Sequence, residues 1–518
     1  MLADFSQIAA GLRDATVTTY LGPRDGGISH VSYWQIRPGS PEFQALSPLE
    51  QGKLRKLQQS VLHSSRMAPT QEVPGIEVTG TLRTVDGAGA GERTQEIVLK
   101  IPSRWNGNLV VAGTPGTRSE FASDAVFASW LVAKGFAYVA GNKGMTNGGA
   151  DGNATLLSRA HPTQHWGVMM LDLADFALAR LRAATGVRPS RVYAVGISNG
   201  GYQVRRALEI DHQRVQAGET RRFDGGLDWE GAYWPDRRAL DRDRDGVVSP
   251  AEFAAANHLI SQNERAALAM GYAYDRGSST TPDEFGKDPP YPKAQAAMLQ
   301  AGFDPASAYI WGAYNTAFDS LKAVLPEWRG IGYYNFTGFY FRAELLGHGP
   351  SESAAYTPFA KTGTPPYYEY LLRARDGGWD EASVGWALKN ANSAEFSVPL
   401  ISLHGDRDGL LGLGAHALAY RDAVRAVGRP ELYRLYIVEH AGHIDAHSDG
   451  GLDFDFDGQS GEEGMQSRFS YLQPYVERAF DALRDWVLRG EAPPDSGTLP
   501  TDPTHDVLTG QGLRLQPR

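Results

Sequence analysis

Short hydrophobic runs alternate with amphipathic, helix-length segments over residues 96–224 and again over 396–495. Each run has the length of a buried strand and ends at glycine or a polar residue. The runs are 108–113, 136–142, 191–196, 398–405 and 432–440. Between the second and third runs, Leu171, Ala174, Leu178 and Leu181 fall on one helical face. This alternation predicts an α/β fold with a mostly parallel sheet and helices on both faces.

The places where this alternation begins, stops and resumes also predict the domain organisation. Residues 1–95 form an N-terminal extension, with a helix near 48–62 and two strands that lead into the sheet. The core is predicted in two parts, 96–224 and 396–495, separated by an inserted cap at 225–395 whose pattern is irregular. A last amphipathic helix, with Val476, Phe480, Leu483 and Val487 on one face, is predicted to end at Gly490. The tail at 496–518 is expected to wrap the surface or fray.

Composition narrows the class of protein. With 42% hydrophobic and 10% aromatic residues, the 518-residue chain has ample material for a large core. Its net charge of -10 argues against nucleic-acid binding, and the lack of cysteine excludes disulfides and a cysteine nucleophile. No run approaches the roughly 18 apolar residues of a membrane span. The first residues lack the basic and apolar regions of a signal peptide, so none is predicted.

The motif at residues 196–201, GISNGG, places Ser198 directly after a predicted strand and before a helix-compatible run. This is the strand–turn–helix setting of the G-x-S-x-G nucleophile elbow, in which small residues allow a sharp turn that exposes the serine hydroxyl. The structural alternative is an ordinary glycine-rich turn. We interpret Ser198 as a nucleophile, which requires a base and an orienting carboxylate later in the chain.

The acid is predicted after the strand at 398–405, where Asp406 and Asp408 follow at its carboxyl end. The spacing His404-Gly405-x-x-Asp408 is typical of the acid loop in α/β-hydrolases and favours Asp408. Asp406 remains the alternative. Either aspartate could instead cap the next helix or pair with Arg407.

The base is predicted after the strand at 432–440, where His440, His443 and His447 lie within a few residues of its end. The sequence Ala-Gly-His favours His443, because glycine lets the ring approach the serine. Each of these histidines could instead be an ordinary surface or hydrogen-bonded residue.

An oxyanion hole needs N–H donors from the residue after the nucleophile, Asn199, and from the loop after an early strand. That loop is 113–117, GTPGT, in which Pro115 has no N–H to donate. Thr114 is the first choice and Gly116 the second. The structural alternative is a plain β-turn.

The insertion contains a twelve-residue segment, 241–252, that matches an EF-hand calcium loop position by position. Oxygen ligands are predicted from Asp241, Asp243, Asp245, the carbonyl of Val247, Ser249 and Glu252. A solvated acidic turn is the alternative. We predict a structural calcium ion that holds the cap, and no organic cofactor. Residues 453–458 begin similarly, but Gly464 stands where the twelfth-position glutamate is needed.

The insertion is also rich in aromatic residues. They are expected either to line a pocket for a bulky hydrophobic or aromatic substrate or to form a separate small core. They are Trp229, Tyr233, Trp234, Tyr309, Trp311, Tyr314, Trp328, Tyr333, Tyr334, Phe336, Phe339, Tyr340 and Phe341.

Four segments together resemble the tannase and feruloyl esterase family: GISNGG, SRWNGNLVV, AGH and FDALRDWVLRGEAPP. Bacterial 3-hydroxybutyrate oligomer hydrolases share the S-N-G-G elbow. The resemblance covers about 96–495, with the insertion poorly matched. It implies an α/β-hydrolase fold with a large lid, often with calcium, and ester hydrolysis by Ser198, Asp408 and His443.

This chain departs from the family at one pair of positions. Tannases carry cysteines just before the serine and just after the histidine, joined as a disulfide, whereas this sequence has Ile197 and Ile444. Two facing isoleucines could pack where the bridge would be. The departure leaves the subfamily and the substrate open.

The sequence therefore predicts a serine carboxylic ester hydrolase that forms an acyl-enzyme with bulky hydrophobic, aromatic or hydroxyacid esters. The alternatives are a hydroxyalkanoate oligomer hydrolase, a serine peptidase, and a non-catalytic calcium-dependent binding protein on the same scaffold. Because calcium is scarce in the cytosol, a structural calcium site favours an extracytoplasmic location. The oligomeric state is left open.

Overall fold

The computed structural model describes most of the chain outside the predicted insertion. The described residues are 5–22, 25–58, 62–85, 92–116, 118–144, 165–233, 236, 241, 244–247, 249, 391–406, 408, 411, 413–446, 470–502, 504–505 and 507–518.

A single ten-stranded sheet organises the described residues, in the order β1-β2-β3-β5-β4-β6-β7-β8-β9-β10. From β5 to β10 every neighbouring pair is parallel, while β1, β2 and β3 add to β5 as an antiparallel edge. The strands are β1 (Leu12–Tyr20), β2 (Gly75–Val85), β3 (Glu92–Pro102), β4 (Asn108–Gly113), β5 (Ala137–Gly141), β6 (Arg191–Ile197), β7 (Gly225–Trp229), β8 (Leu400–Gly405), β9 (Tyr433–Val438) and β10 (Gly497–Leu499). The predicted mostly parallel sheet is confirmed.

Helices cover both faces of this sheet. They are α1 (Phe5–Ile8), α2 (Val31–Gln35), α3 (Pro41–Ala45), α4 (Pro48–Leu57), α5 (Ser129–Ala133), α6 (Trp166–Thr185), α7 (Asn199–Gln216), α8 (Ala419–Ala426) and α9 (Gln473–Arg489). Short 3-10 turns occupy Ser65–Met67 and Pro430–Leu432, and π-helical turns at Asp124–Ala128 and Gly414–Leu418 precede α5 and α8.

The two faces form separate hydrophobic layers because successive side chains of a strand point to opposite sides. In β4, Val110 and Ala112 join the layer that contains α5 and α9. Leu109 and Val111 join the layer that contains α6, α7 and α8. Central strands such as β4 and β5 are buried along almost their whole length, which explains their nearly continuous apolar sequences.

The N-terminal extension is built into the sheet through β1, β2 and part of β3. A cluster of buried charges ties it to the rest of the fold. His30 Nε2 lies 2.7 Å from Glu77 Oε2, and His30 Nδ1 lies 3.0 Å from Asp124 Oδ2. Lys100 pairs with Asp124, and Lys53 pairs with Glu77. Because these charges are buried together, each depends on its partners for compensation.

One predicted boundary needs correction. Residues 225–229, assigned to the insertion, form β7 in the centre of the sheet, between β6 and β8. A Cβ at Gly226 would lie 2.6 Å from Leu208 Cδ1, so the side chains of α7 pack directly against the backbone of this strand. The glycines that permit this packing also interrupt the hydrophobic pattern of the strand. Within the predicted tail, β10 pairs with β9 at the sheet edge.

Among the described residues, no helix is both long enough and apolar enough to cross a membrane.

Candidate active site

Ser198 occupies the sharp turn between β6 and α7. Its backbone has φ 58° and ψ −120°, a strained conformation for a residue other than glycine, which costs on the order of 1–3 kcal/mol. The Ser198 N–H donates to the carbonyl of Trp229 at 2.8 Å, and its carbonyl accepts from Tyr202 at 3.0 Å. These bonds hold the turn between the end of β7 and the first turn of α7, with the side chain mostly buried.

The turn is possible only because glycines flank it. A Cβ at Gly196 would collide with the carbonyl of Gly200, and one at Gly200 would lie 2.5 Å from the carbonyl carbon of Gly113. Ordinary contacts of a Cβ begin near 3.4 Å. Glycine therefore allows the start of α7 to lie directly against the ends of β4 and β6.

The strand order places the predicted site residues at one edge of the sheet. Ser198, Asp408 and His443 each follow a different parallel strand, β6, β8 and β9, and carboxyl ends of parallel strands share one edge. The strand order and the elbow identify the architecture. This is the α/β-hydrolase fold.

Asp408 and His443 form a buried hydrogen-bonded pair. His443 Nδ1 lies 2.8 Å from Asp408 Oδ2, and the other carboxylate oxygen accepts the Leu411 N–H at 2.9 Å. Of the two candidate acids, Asp408 is therefore the one that accepts a hydrogen bond from the imidazole. The alternative acid, Asp406, donates its backbone N–H to Val438. Among the alternative bases, His440 Nδ1 lies 3.2 Å from Thr501 Oγ1, and His447 is outside the described residues.

A second carboxyl group, Glu230, lies against the same imidazole and was not predicted. It directly follows β7, is fully buried, and places Oε2 3.1 Å from His443 Nδ1. Its Oε1 accepts the Gly405 N–H at 3.0 Å. The sequence did contain a signal, an acidic residue right after a strand, but assigning 225–229 to the insertion concealed it.

Burial and mutual charge separate the protonation states of the three groups. For Asp408, burial acts to raise the pKa, but the adjacent His443 outweighs it and lowers the pKa below the ordinary value. For Glu230, burial raises the pKa well above normal and the charge of Asp408 raises it further. For His443, burial acts to lower the pKa, but Asp408 outweighs it and raises the pKa well above the ordinary value. Asp408 is therefore the ionised partner of the imidazole.

The predicted oxyanion residues lie beside the elbow. Asn199 is the first residue of α7, so its N–H is among those with no intrahelical acceptor. Thr114 follows β4 and is fully buried, and its hydroxyl donates to the Gly141 carbonyl at 3.1 Å. Gly116, the second choice, has φ 43°.

Lys143, which sequence patterns did not single out, supports Thr114. Its Nζ donates to the Thr114 carbonyl and lies 2.8 Å from the Thr114 hydroxyl oxygen. Its Nζ also lies 4.9 Å from the centre of the Trp166 ring. Burial lowers the pKa of Lys143 well below its ordinary value, and the nearby Arg118 charge acts in the same direction. This buried amine fixes the loop that follows β4.

Arg205 and Asp228 form a buried ion pair beneath the loop that carries Glu230. The guanidinium binds both carboxylate oxygens at 3.0 Å and donates to the carbonyl of His416 at 3.1 Å. Asp228 also accepts the Gly231 N–H at 3.1 Å and the Ser402 hydroxyl. The chain immediately after Glu230 is thereby anchored to α7.

Ile197 and Ile444, the pair singled out by the sequence resemblance, both lie in apolar surroundings. Ile197 is fully buried in the hydrophobic layer that contains α9, and Ile444 packs against that same layer. Both positions therefore contribute apolar contacts near the serine and the histidine.

The predicted calcium loop is described only in part. Gly246 has φ 88° and donates to Asp241 Oδ2 at 2.9 Å, while Asp245 Oδ1 accepts the Val247 N–H at 2.7 Å. Within the described residues, Asp241 Oδ1 is buried and accepts no hydrogen bond. This turn, with a free carboxylate oxygen, fits a cation-binding loop. Asp243, Glu252 and the second acidic run at 453–458 lie outside the described residues.

The aromatic insertion is represented by two described residues only. Trp229 is fully buried in β7, and Tyr233 packs edge-on against Tyr420 with ring centres 5.5 Å apart. These two belong to the core of the fold. The other predicted pocket residues, from Trp234 to Phe341, lie outside the described residues.

Comparison with known proteins gave matches to solved structures alone. No family model and no curated protein sequence matches the chain. Feruloyl esterase B from Aspergillus oryzae aligns at 14% identity over 84% of this chain and 86% of its own, with a TM-score of 0.44. Tannin acyl hydrolase from Aspergillus niger aligns at 15% identity over 94% and 87%, with a TM-score of 0.44. The esterase LipA from Xanthomonas oryzae aligns at 13% identity over 82% and 89%, with a TM-score of 0.39.

Proposed function

We propose that the protein is a serine carboxylic ester hydrolase with Ser198 as nucleophile, His443 as base and Asp408 as the orienting acid. The observation that carries this proposal is the buried Asp408–His443 hydrogen bond at the sheet edge where the strained Ser198 turn lies. A serine at an elbow needs a base oriented by a carboxylate, and this pair supplies both.

The proposed reaction proceeds in two halves. His443 Nε2 takes the proton from the Ser198 hydroxyl as Oγ attacks the ester carbonyl carbon, and the oxyanion is held by the N–H groups of Asn199 and Thr114. His443 then returns the proton to the alcohol as the carbon–oxygen bond breaks, leaving an acyl-enzyme. Water, deprotonated by His443, attacks the acyl carbon and releases the acid and Ser198. No organic cofactor is needed for these steps.

We propose bulky hydrophobic, aromatic or hydroxyacid esters as the substrate class. The support is the aromatic content of the insertion and the resemblance of the elbow and histidine segments to tannases and feruloyl esterases. Two of the structures to which the chain is similar are named as esterases of feruloyl and tannin substrates. Hydroxybutyrate oligomers belong to the same panel, because their hydrolases share the S-N-G-G elbow.

The test compares ester and amide substrates on three proteins: wild type, Ser198→Ala and Ser129→Ala. Ser129 is a matched control, since its hydroxyl donates to the carbonyl of Ala125 four residues earlier in the chain, and Ser129 has no role in the proposed reaction. We expect hydrolysis of p-nitrophenyl esters by wild type and Ser129→Ala, and a loss of at least 10³-fold in Ser198→Ala. Preference for peptide anilides would indicate a peptidase. Equal activity of Ser198→Ala and wild type would refute the proposed nucleophile.

A panel of esters then identifies the preferred substrate class. Phenolic esters such as alkyl ferulates and gallates are compared with 3-hydroxybutyrate oligomers of increasing length, using kcat/KM for each. We expect the largest kcat/KM among these bulky esters rather than for p-nitrophenyl acetate. A protein that neither hydrolyses any of them nor reacts with a fluorophosphonate would be a binding module on a hydrolase scaffold.

We also propose a structural calcium ion held by Asp241, Asp243, Asp245, the Val247 carbonyl, Ser249 and Glu252. The support is the spacing of oxygen ligands in the sequence and the glycine turn at Gly246. Saturating calcium would add about 2.7 kcal/mol of stability at a hundredfold excess over Kd. Chelation should therefore lower the melting temperature of wild type, calcium should restore it, and Asp245→Asn should not respond. An unchanged melting temperature after chelation would refute the site.

A further inference from the structure

Both the backbone and the side chain of Glu230 are held by hydrogen bonds at the active-site edge of the sheet. Its φ of 52° is unusual for a glutamate, and its N–H donates to the Leu403 carbonyl at 2.8 Å. Its carboxyl group is fully buried, with Oε1 held by the Gly405 N–H. This backbone conformation costs about 1–3 kcal/mol, and it places an acidic side chain beside His443.

Two carboxyl groups converge on one imidazole N–H. Asp408 Oδ2 lies 2.8 Å from His443 Nδ1 and takes its hydrogen bond, whereas Glu230 Oε2 lies 3.1 Å away and, within the described residues, takes part in no hydrogen bond. Because the ring has a single proton on that side, only one carboxyl can accept it fully. Glu230 Oε2 nevertheless lies within hydrogen-bond distance of His443 Nδ1.

The charge of Asp408 is what keeps Glu230 out of this role. Two buried carboxyl groups this close do not both ionise easily, and the pKa of Glu230 is raised by burial and then by Asp408. The lower pKa of Asp408 makes it the ionised member. Removing its negative charge would remove one of the two causes that keep Glu230 protonated.

We propose that Glu230 is a second positioning acid for His443, which orients the imidazole together with Asp408 and accepts its Nδ1 proton when Asp408 cannot. This inference rests on the proposed function of His443 as the base. Glu230 contacts the imidazole and not the substrate, so its effect on the reaction passes through the orientation and basicity of His443. When Glu230 acts alone, it releases its own proton to solvent and becomes the carboxylate that stabilises the imidazolium.

Other titratable groups lie close to Glu230, Asp408 and His443, and these groups must not be mutated in any test. His404 Nε2 lies 3.5 Å from Asp408 Oδ2 and donates to the Leu411 carbonyl at 2.7 Å. Burial lowers the pKa of His404, and burial with the charge of His404 lowers the pKa of His416 to about 3. The charge of Arg205 on α7 also acts on His404, and along the chain Asp406 and Asp445 lie two residues from Asp408 and His443.

The first test is a double-mutant cycle on Asp408 and Glu230. Replacing the orienting aspartate of a serine protease by asparagine lowers kcat about 10⁴-fold. Here we expect Asp408→Asn to lose about 10- to 100-fold, Glu230→Gln less than about 10-fold, and the double variant about 10⁴-fold. Glu230→Gln keeps an oxygen for the Gly405 N–H and nearly the same volume. If Asp408→Asn is as inactive as the double variant, the proposal is wrong.

Glu209→Gln is a matched control for the loss of a buried glutamate. Glu209 is also fully buried with a pKa raised by burial, but it accepts the N–H groups of Ser393 and Ala394, away from His443. The double variant Asp408→Asn, Glu209→Gln should have the same kcat as Asp408→Asn alone, within about twofold. A loss equal to that caused by Glu230→Gln would mean that destabilisation, and not orientation of His443, explains the cycle.

A second measurement does not depend on hydrolysis. NMR titration of ¹³C-labelled histidines follows the His443 imidazole, assigned by its absence in His443→Gln. In Asp408→Asn we expect the His443 pKa to stay above that in the double variant, because Glu230 supplies the negative charge. Equal values in the two variants would overturn the proposal. If this difference is found in a protein that cleaves no ester, the proposed function fails while the Glu230–His443 interaction stands.

Discussion

Gly200→Ala tests whether the close approach of α7 to β4 sets the geometry of the proposed oxyanion hole. A methyl group there would lie 2.5 Å from the carbonyl carbon of Gly113 and 3.0 Å from the carbonyl oxygen of Thr114. Since ordinary Cβ contacts begin near 3.4 Å, the helix start and the β4 loop must separate by about 1 Å. The contacting atoms belong to backbone, so no side-chain rotation can relieve the clash.

That displacement moves the two proposed oxyanion donors, Thr114 and Asn199, apart. An error of about 1 Å in such a site costs on the order of 10² in rate, and overpacking costs about 1–3 kcal/mol of stability. We expect kcat for a p-nitrophenyl ester to fall about 100-fold in Gly200→Ala, with a smaller change in KM. The rate of phosphonylation by a fluorophosphonate should fall with it.

Gly52→Ala is the matched control for Gly200→Ala. Gly52 lies within α4, where an added Cβ meets no atom within 4 Å. Alanine there should raise stability by about 0.5–1 kcal/mol and leave kcat unchanged. If Gly200→Ala has the kcat of wild type while thermal unfolding shows a folded protein, the proposed role of this close approach is wrong.

Three further perturbations test parts that support the site. Lys143→Met removes the two hydrogen bonds that Nζ donates to Thr114, so kcat for an ester should fall by about tenfold, equal to about 1.4 kcal/mol. An unchanged kcat would show that Lys143 does not support the site. Arg205→Met leaves Asp228 buried without its cation and should lower the free energy of unfolding by about 3–5 kcal/mol in urea, whereas a loss under about 1 kcal/mol would contradict this. Burial acts to raise the pKa of Glu77, but His30 and Lys53 outweigh it and lower that pKa well below the ordinary value. The ionised Glu77 therefore contributes fully to stability above pH 4.5, and this contribution is lost as the pH falls further. Glu77→Gln should be less stable at pH 7 and its melting temperature should fall less steeply below pH 4.5; parallel pH curves for the two proteins would refute this.

Hydrophobic periodicity predicted the parts of the fold that are buried on both sides. The β4 and β6 runs read as continuous apolar stretches because helices cover both of their faces, and α6 shows the predicted apolar stripe. The elbow was visible because the turn itself requires small residues at fixed positions around Ser198. These features are local, so a single segment of sequence contains them.

Features that depend on distant contacts were not predictable in the same way. β7 contains two glycines and an aspartate, since α7 and α9 pack close to Gly226 and Gly225 and Arg205 neutralises Asp228. No pattern within 225–229 reveals these partners. Glu230 follows the same logic, because its proximity to His443 exists only once β7, β8 and β9 are neighbours. β10 is too short to show any periodicity.

Peptide mapping after reaction with a fluorophosphonate probes the proposed nucleophile most directly. The account predicts one modified peptide, containing Ser198, whose formation requires neutral His443 and therefore slows as the pH is lowered. Modification should disappear in Ser198→Ala and slow strongly in His443→Gln. A wild-type protein that is folded but unmodified, or is modified at a different serine, would contradict the account.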